Sequence, residues 1–257
     1  MQHSSSPAAG RSATAPTGKP RVMTKAAKTK SAKKAPPAKQ PEDTPRHAGA
    51  KARAPEATKQ DIIDVATREF AQNGLSGARV DEIAAKTGSS KRMIYYYFGD
   101  KDGLYLAVLE EAYRKVRTTE AQLDLEHLRP RDALRKLVEF TFDHHHSNEA
   151  FIRLVMIENI HHGDYLARSK TIQDLNVSAI GELERVYQRG VKDGIFRKGL
   201  NAIDLHWQIS ALCFFNVSNR ATFSQIFRVD LASKKALANL RAQVVDMVLR
   251  NVLKNPG

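Results

Sequence analysis

Between residues 79 and 98 the chain has to turn sharply within twenty positions, and few folds allow that. Val80, Ile83 and Ala84 share one helical face, and Gly88 breaks the pattern. Ser90 is placed to cap a following helix, Lys91 to Phe98, whose inward residues are Ile94 and Phe98, with Gly99 and Asp100 ending it. Helices this short bury too little surface to stand alone. Ile62, Val65, Ala66 and Phe70 supply a partner, an amphipathic helix over about 57–73 that Gly74 stops in a left-handed turn. A fourth helix is expected from about Lys101. No useful length of sequence alternates as a strand would, so the predicted class is all-α.

Three short helices joined by tight glycine turns meet the needs of a helix-turn-helix, in which the second and third cross steeply. Small Ala84 permits their close approach. The third helix then points Lys91, Arg92, Met93, Tyr95 and Tyr96 outward. Arginine can pair bidentately with guanine in a major groove, and tyrosine hydroxyls can bond phosphates. Spacing alone leaves a second reading open: a generic three-helix bundle with solvated cations and packed tyrosines.

Residues 60–109 resemble the DNA-binding domain of TetR-type (TetR/AcrR) bacterial transcriptional regulators. The likeness is carried by Phe70 and Gly74, by Val80-Asp81-Glu82-Ile83-Ala84 and by Thr87-Gly88-Ser89-Ser90-Lys91. It continues through Ile94-Tyr95-Tyr96-Tyr97-Phe98 and Asp100-Lys101-Asp102-Gly103-Leu104. The resemblance implies a homodimer on double-stranded operator DNA with two-fold related half-sites, most often a repressor released by a small-molecule effector. It implies base-facing Lys91 and Arg92, capping Ser90, and backbone-contacting Tyr95 and Tyr96. Arg79 and Lys101 fall where the family grips phosphate, Lys101 helped by its helix N-terminus. Met93 replaces the usual threonine, and Ala78 the usual Thr or Ser cap. The expected division is a DNA-binding domain over 56–116, with its helix-turn-helix at about 79–98, and an effector-binding and dimerisation domain over 117–257.

The second half has periodicity but no motif. Helices are expected from Pro130 to about Ser147, over about 149–161 and 165–192, from Asn201 through Phe215, and from Ser233 to about Lys254. With the first four they make nine. The resemblance implies that the last two long helices form a four-helix bundle across a dimer. Leu237, Leu240, Val244 and Val248 make one apolar stripe on the final helix. Val245, Leu249 and Val252 lie beside it and are expected at the dimer interface.

Six of the nine histidines cluster at His144-His145-His146, His161-His162 and His206. Consecutive histidines diverge by about 100° on a helix, and neither HExxH nor His-x3-His spacing occurs. Neither a metal nor a cofactor is therefore expected, although Asp143, Glu158 or Asp164 could complete a site. The family keeps its effector in the apolar interior of the second domain. His144, Met156, His161, Trp207 and Phe214 are the expected pocket residues, against the plainer reading of ordinary core and surface side chains. No nucleophile–base set or phosphate loop points to an enzyme, and Cys213 sits among Leu212, Phe214 and Phe215, packed rather than reactive.

Charge is uneven. The chain carries +13, of which residues 1–55 hold +10, without an aromatic residue, leucine or isoleucine. Such a segment cannot offset its ordering entropy, so a disordered Lys/Ala/Pro-rich tail is expected. It is either a passive extension or a DNA tether acting by counterion release. A chromatin-like protein that ignores sequence is the main alternative to an operator-specific regulator. A transit peptide fits less well, since Lys outnumbers Arg, and no apolar run is long enough to span a membrane. The expected location is the bacterial cytoplasm, associated with the nucleoid.

Overall fold

In a computed structural model, α1 (Pro55–Gly77) opens with proline at its first position and is followed by α2 (Val80–Thr87), α3 (Lys91–Phe98) and α4 (Lys101–Ala121). The structure describes residues 55–255; the tail expected over 1–55 lies outside them, save Pro55. Then come α5 (Pro130–Ser147), α6 (Glu149–Ile160), a 3₁₀ turn (Leu166–Arg168), α7 (Lys170–Lys192), α8 (Ala202–Ser218), α9 (Arg220–Phe227) and α10 (Lys234–Val252). Among the described residues there is no strand, and only the single bridge Phe196–Leu253 pairs extended backbone. The all-α expectation holds.

Gly74 leaves helical geometry, with φ 72° and ψ 173°, and one further turn runs to Gly77. The expected 165–192 helix begins later, because Ser169 accepts the Ile172 amide at 3.1 Å and caps α7 there. Helix α9 was not expected. It buries no residue, so its sequence carries no inward stripe to read.

Two apolar cores result. The first joins Ile62, Phe70, Ile83, Ile94, Leu104 and Tyr105 of α1–α4, and it also takes in Leu154 of α6 and Ile172 of α7. The second joins Leu134, Val138 and Phe142 of α5, Leu183 and Val186 of α7, Leu205 and Ile209 of α8, and the inner face of α10. Helix α4 runs unbroken through residues 116 and 117, where the sequence places a domain boundary.

The expected dimer residues need correction. Val245, Leu249 and Val252 are buried in the second core of their own chain, Leu249 at 3% exposure. Helix α10 packs against both α5 and α8, and a helix seated between two others buries two adjacent stripes. The extra stripe therefore needs no second chain. Unpartnered apolar surface lies instead on α8 and α9. Ile203, Trp207 and Phe215 are exposed at four-residue multiples on one face, beside Phe223, Ile226 and Phe227.

Candidate nucleic-acid interface and ligand cavity

Helix α2 is fixed to α1 by a buried charge. Lys86 Nζ lies 2.7 Å from Glu69 Oε2, and Asn73 donates to the other oxygen at 2.8 Å. The lysine's hydrogen bond holds the Glu69 carboxyl below its usual range despite burial. Gly88 then turns the chain at φ 63°, allowing the Ser89 amide to reach Ala84 O at 3.1 Å. Ser90 Oγ accepts the Met93 amide at 3.1 Å, so its hydroxyl serves as the α3 cap.

Only Ile94 of α3 is buried. Lys91, Arg92, Met93, Tyr95 and Tyr96 all lie exposed, the arrangement expected of a recognition helix. Arg79 stands at the N-cap of α2 without a side-chain cap bond, and is exposed 4.0 Å from Asp81. Asp81 also ion-pairs with Lys91. Lys101 Nζ donates to the Ser76 carbonyl at 3.3 Å. Asp100 caps α4 by accepting the Gly103 amide at 2.7 Å.

The same helix α4 reaches a cavity of about 560 Å³ walled by α4, α5, α6, α7 and α8. Of the five expected pocket residues, Trp207 and Phe214 line it. The other three do not. His144 sits one position off, and its neighbour His145 faces the cavity, since consecutive helical residues diverge by about 100°. Met156 is exposed on the outer side of α6, and His161 packs edge-on against Tyr165 with ring centres 6.2 Å apart. Tyr113, Arg117, Phe151, Asn176 and His206 complete much of the wall. Tyr113 and Arg117, one helical turn apart on α4, were legible only as an ordinary i, i+4 pair.

Within this wall Arg117 donates Nε and Nη2 to Asn176 Oδ1 at 3.2 and 2.7 Å, and Nη1 pairs with Glu120. His145 is 8% exposed and its Nδ1 has no partner. Burial, then the neighbouring His144 and Arg117, depresses His145 to about 4, and burial, then Arg117, depresses His206 likewise to about 4. Both are neutral at pH 7. The other candidate ligating groups are dispersed: Asp143 pairs bidentately with Arg241 at 2.9 Å, and Glu158 accepts the Leu166 amide at 3.1 Å. His146 Nδ1 lies 3.1 Å from Arg220. Among the described residues no three ligating side chains converge as a metal would need. Burial pushes the Cys213 thiol up to about 12, so it is not a nucleophile at neutral pH.

A capped, cation-bearing recognition helix on one end and a walled cavity on the other define a class: helix-turn-helix DNA-binding regulators. The comparisons narrow it. The family described as bacterial regulatory proteins, tetR family, matches residues 62–108, and a tetracyclin repressor-like C-terminal domain matches residues 130–248. The HTH-type transcriptional repressor NicS of Pseudomonas putida is 34% identical over 207 residues, spanning 80% of this chain and 98% of that one. The chain belongs to the tetR family of transcriptional regulators. Two solved structures share the fold. The FadR regulator of Bacillus subtilis in complex with stearoyl-CoA matches at TM-score 0.58 and 18% identity, covering 75% of this chain and 98% of that one. A regulator from Saccharomonospora viridis in complex with choline matches at TM-score 0.60 and 18% identity, covering 78% and 100%.

No helix among the described residues is long and apolar enough to cross a membrane.

Proposed function

We propose that the chain is an operator-specific transcriptional repressor that works as a homodimer in the bacterial cytoplasm, on nucleoid DNA, and leaves its operator when a small molecule fills the cavity. The single observation that carries this reading is helix α4, which has Lys101 at one end and Arg117 in the cavity wall at the other. Sixteen residues of α-helix span about 24 Å. A rigid rod of that length converts a change in the wall into a tilt of the DNA-contacting end. Residues 56–116 act as the DNA-binding domain and 117–257 as the effector and dimerisation domain, α4 bridging them.

Lys91 and Arg92 read bases, while Arg79, Tyr95, Tyr96 and Lys101 hold phosphates and Ser90 and Met93 set the start of the helix. The exposed α8–α9 face is the dimer surface, because two-fold operators require two-fold protein contact. That FadR holds stearoyl-CoA and the Saccharomonospora viridis regulator choline supports a small-molecule role for the cavity here. The ligand must prefer the non-binding state, since equal affinity for both would shift nothing.

The test selects duplexes from a random pool at physiological salt and competes the winners against scrambled DNA. An operator-specific repressor enriches a palindromic site and prefers it by about 10³-fold or more. A protein that ignores sequence enriches nothing, and that result overturns the reading in favour of a chromatin-like binder.

A further inference from the structure

We propose that the cavity between α4, α5, α6, α7 and α8 is selective for a singly charged organic acid, its carboxylate facing Arg117 and its apolar body lying among Phe151, Trp207 and Phe214. The proposal rests on the reading of this cavity as the effector site, and adds the chemistry of the ligand.

The wall holds one ionised group. Arg117 is its only Lys, Arg, Asp or Glu. The partner carboxylate, Glu120, borders the neighbouring cleft and not this one. Arg117 borders both spaces, so of this ion pair only the guanidinium reaches the cavity.

Arg117 is also held in place. Its side chain is 14% exposed. Asn176 accepts two of its N–H groups, and the Asn176 amide is itself oriented by donating to Ile172 O at 2.8 Å. A guanidinium already anchored loses little freedom when an acid docks. A second observation is independent of the first. His145 is nine-tenths buried with an unpartnered Nδ1, and it lies in the same wall. A neutral imidazole there can exchange one hydrogen bond with a ligand's polar end.

The rest of the wall decides the body. Phe151 stacks on His145 with ring centres 6.0 Å apart, and Tyr113 meets Phe151 edge-on at 5.3 Å. Aromatic walls also suit quaternary ammonium ions, but a cation here would face Arg117 with no acid on the cavity side. A dianion would find one cation and no second. An uncharged ligand would cover the guanidinium and add no charge to the single ion pair it makes with Glu120.

Trp207 is the only tryptophan of the chain and borders the cavity from the exposed α8 face, so its emission is read at a protein concentration that keeps the oligomeric state fixed. Full-length protein is titrated with 4-phenylbutyrate, its uncharged isostere 4-phenylbutyramide, and benzyltrimethylammonium, with calorimetry alongside. The acid is expected to bind at least about tenfold tighter than the amide, as a charge-assisted hydrogen bond gives. Arg117→Met should erase that preference, and Arg117→Lys should keep part of it. Equal binding of acid and amide, or tightest binding of the ammonium ion, overturns the acid selectivity and leaves the cavity reading intact. No response to any of the three overturns both. Acid binding that leaves operator affinity unchanged supports the ligand class and removes the effector role.

Discussion

Lys91, the first residue of the recognition helix, is ion-paired with Asp81 on the preceding helix. Its neighbour Arg92 has no side-chain partner among the described residues, although both were read alike from sequence. On the proposed docking, DNA competes with Asp81 for one cation and not for the other.

The pair sets a testable difference. Arg92→Ala is expected to cost about 1–3 kcal/mol on the selected operator and to relax base preference at one position. Asp81→Asn, which frees Lys91, is expected to raise affinity for the operator by a factor of about two to five and for scrambled DNA by less, at a stability cost under about 1 kcal/mol. Anisotropy titrations on both duplexes check this. A uniform loss for Arg92→Ala would remove its base-reading role.

Phe215→Glu is expected to give a folded monomer with weakened operator binding, because it puts a carboxylate on the exposed α8 face. Leu249→Glu is expected to fail to fold, since its carboxylate would be buried in the core of a single chain without a partner. Sedimentation and far-UV circular dichroism distinguish them. An intact Phe215→Glu dimer would place the interface elsewhere.

Acid should weaken the protein through two histidines. His145 and His206 titrate at about 4 when folded, against roughly 6.5 unfolded. Between those values the unfolded chain binds more protons, so stability falls as pH falls through that window and is fully present above it. Each is expected to contribute about 1–3 kcal/mol of loss by pH 4, less for the more exposed His206. Urea melts at pH 7 and 4.5 measure the loss, which His145→Gln should reduce by about half.

Gly103→Ala tests helix propensity against packing. In an open helix the change would stabilise by about 1 kcal/mol. Here the added Cβ would stand 2.1 Å from the Phe98 carbonyl oxygen, because the first turn of α4 lies against the end of α3. Overpacking is expected to win, at about 3 kcal/mol net and a Tm lower by roughly 6–12 °C. A raised Tm would show that this contact gives way.

What the sequence determined by itself was local. Ser90 as a cap, Gly88 as a turn, Lys91, Arg92, Met93, Tyr95 and Tyr96 as an outward face, the helices from Val80 to Phe98 and the start of the next near Lys101 follow from periodicity and capping within a few residues. Family likeness added their roles. What only the tertiary structure decided depends on neighbours distant in sequence. Whether Val245 and Leu249 face water or core depends on α10 lying between α5 and α8. That His145 and not His144 lines the cavity depends on how α5 is rotated about its axis, which one residue of register changes by about 100°. Arg117 became a wall residue only because α7 brings Asn176, 59 positions away, against it. Helix patterns record that a face is buried, but not which helix buries it, since apolar contact is non-directional.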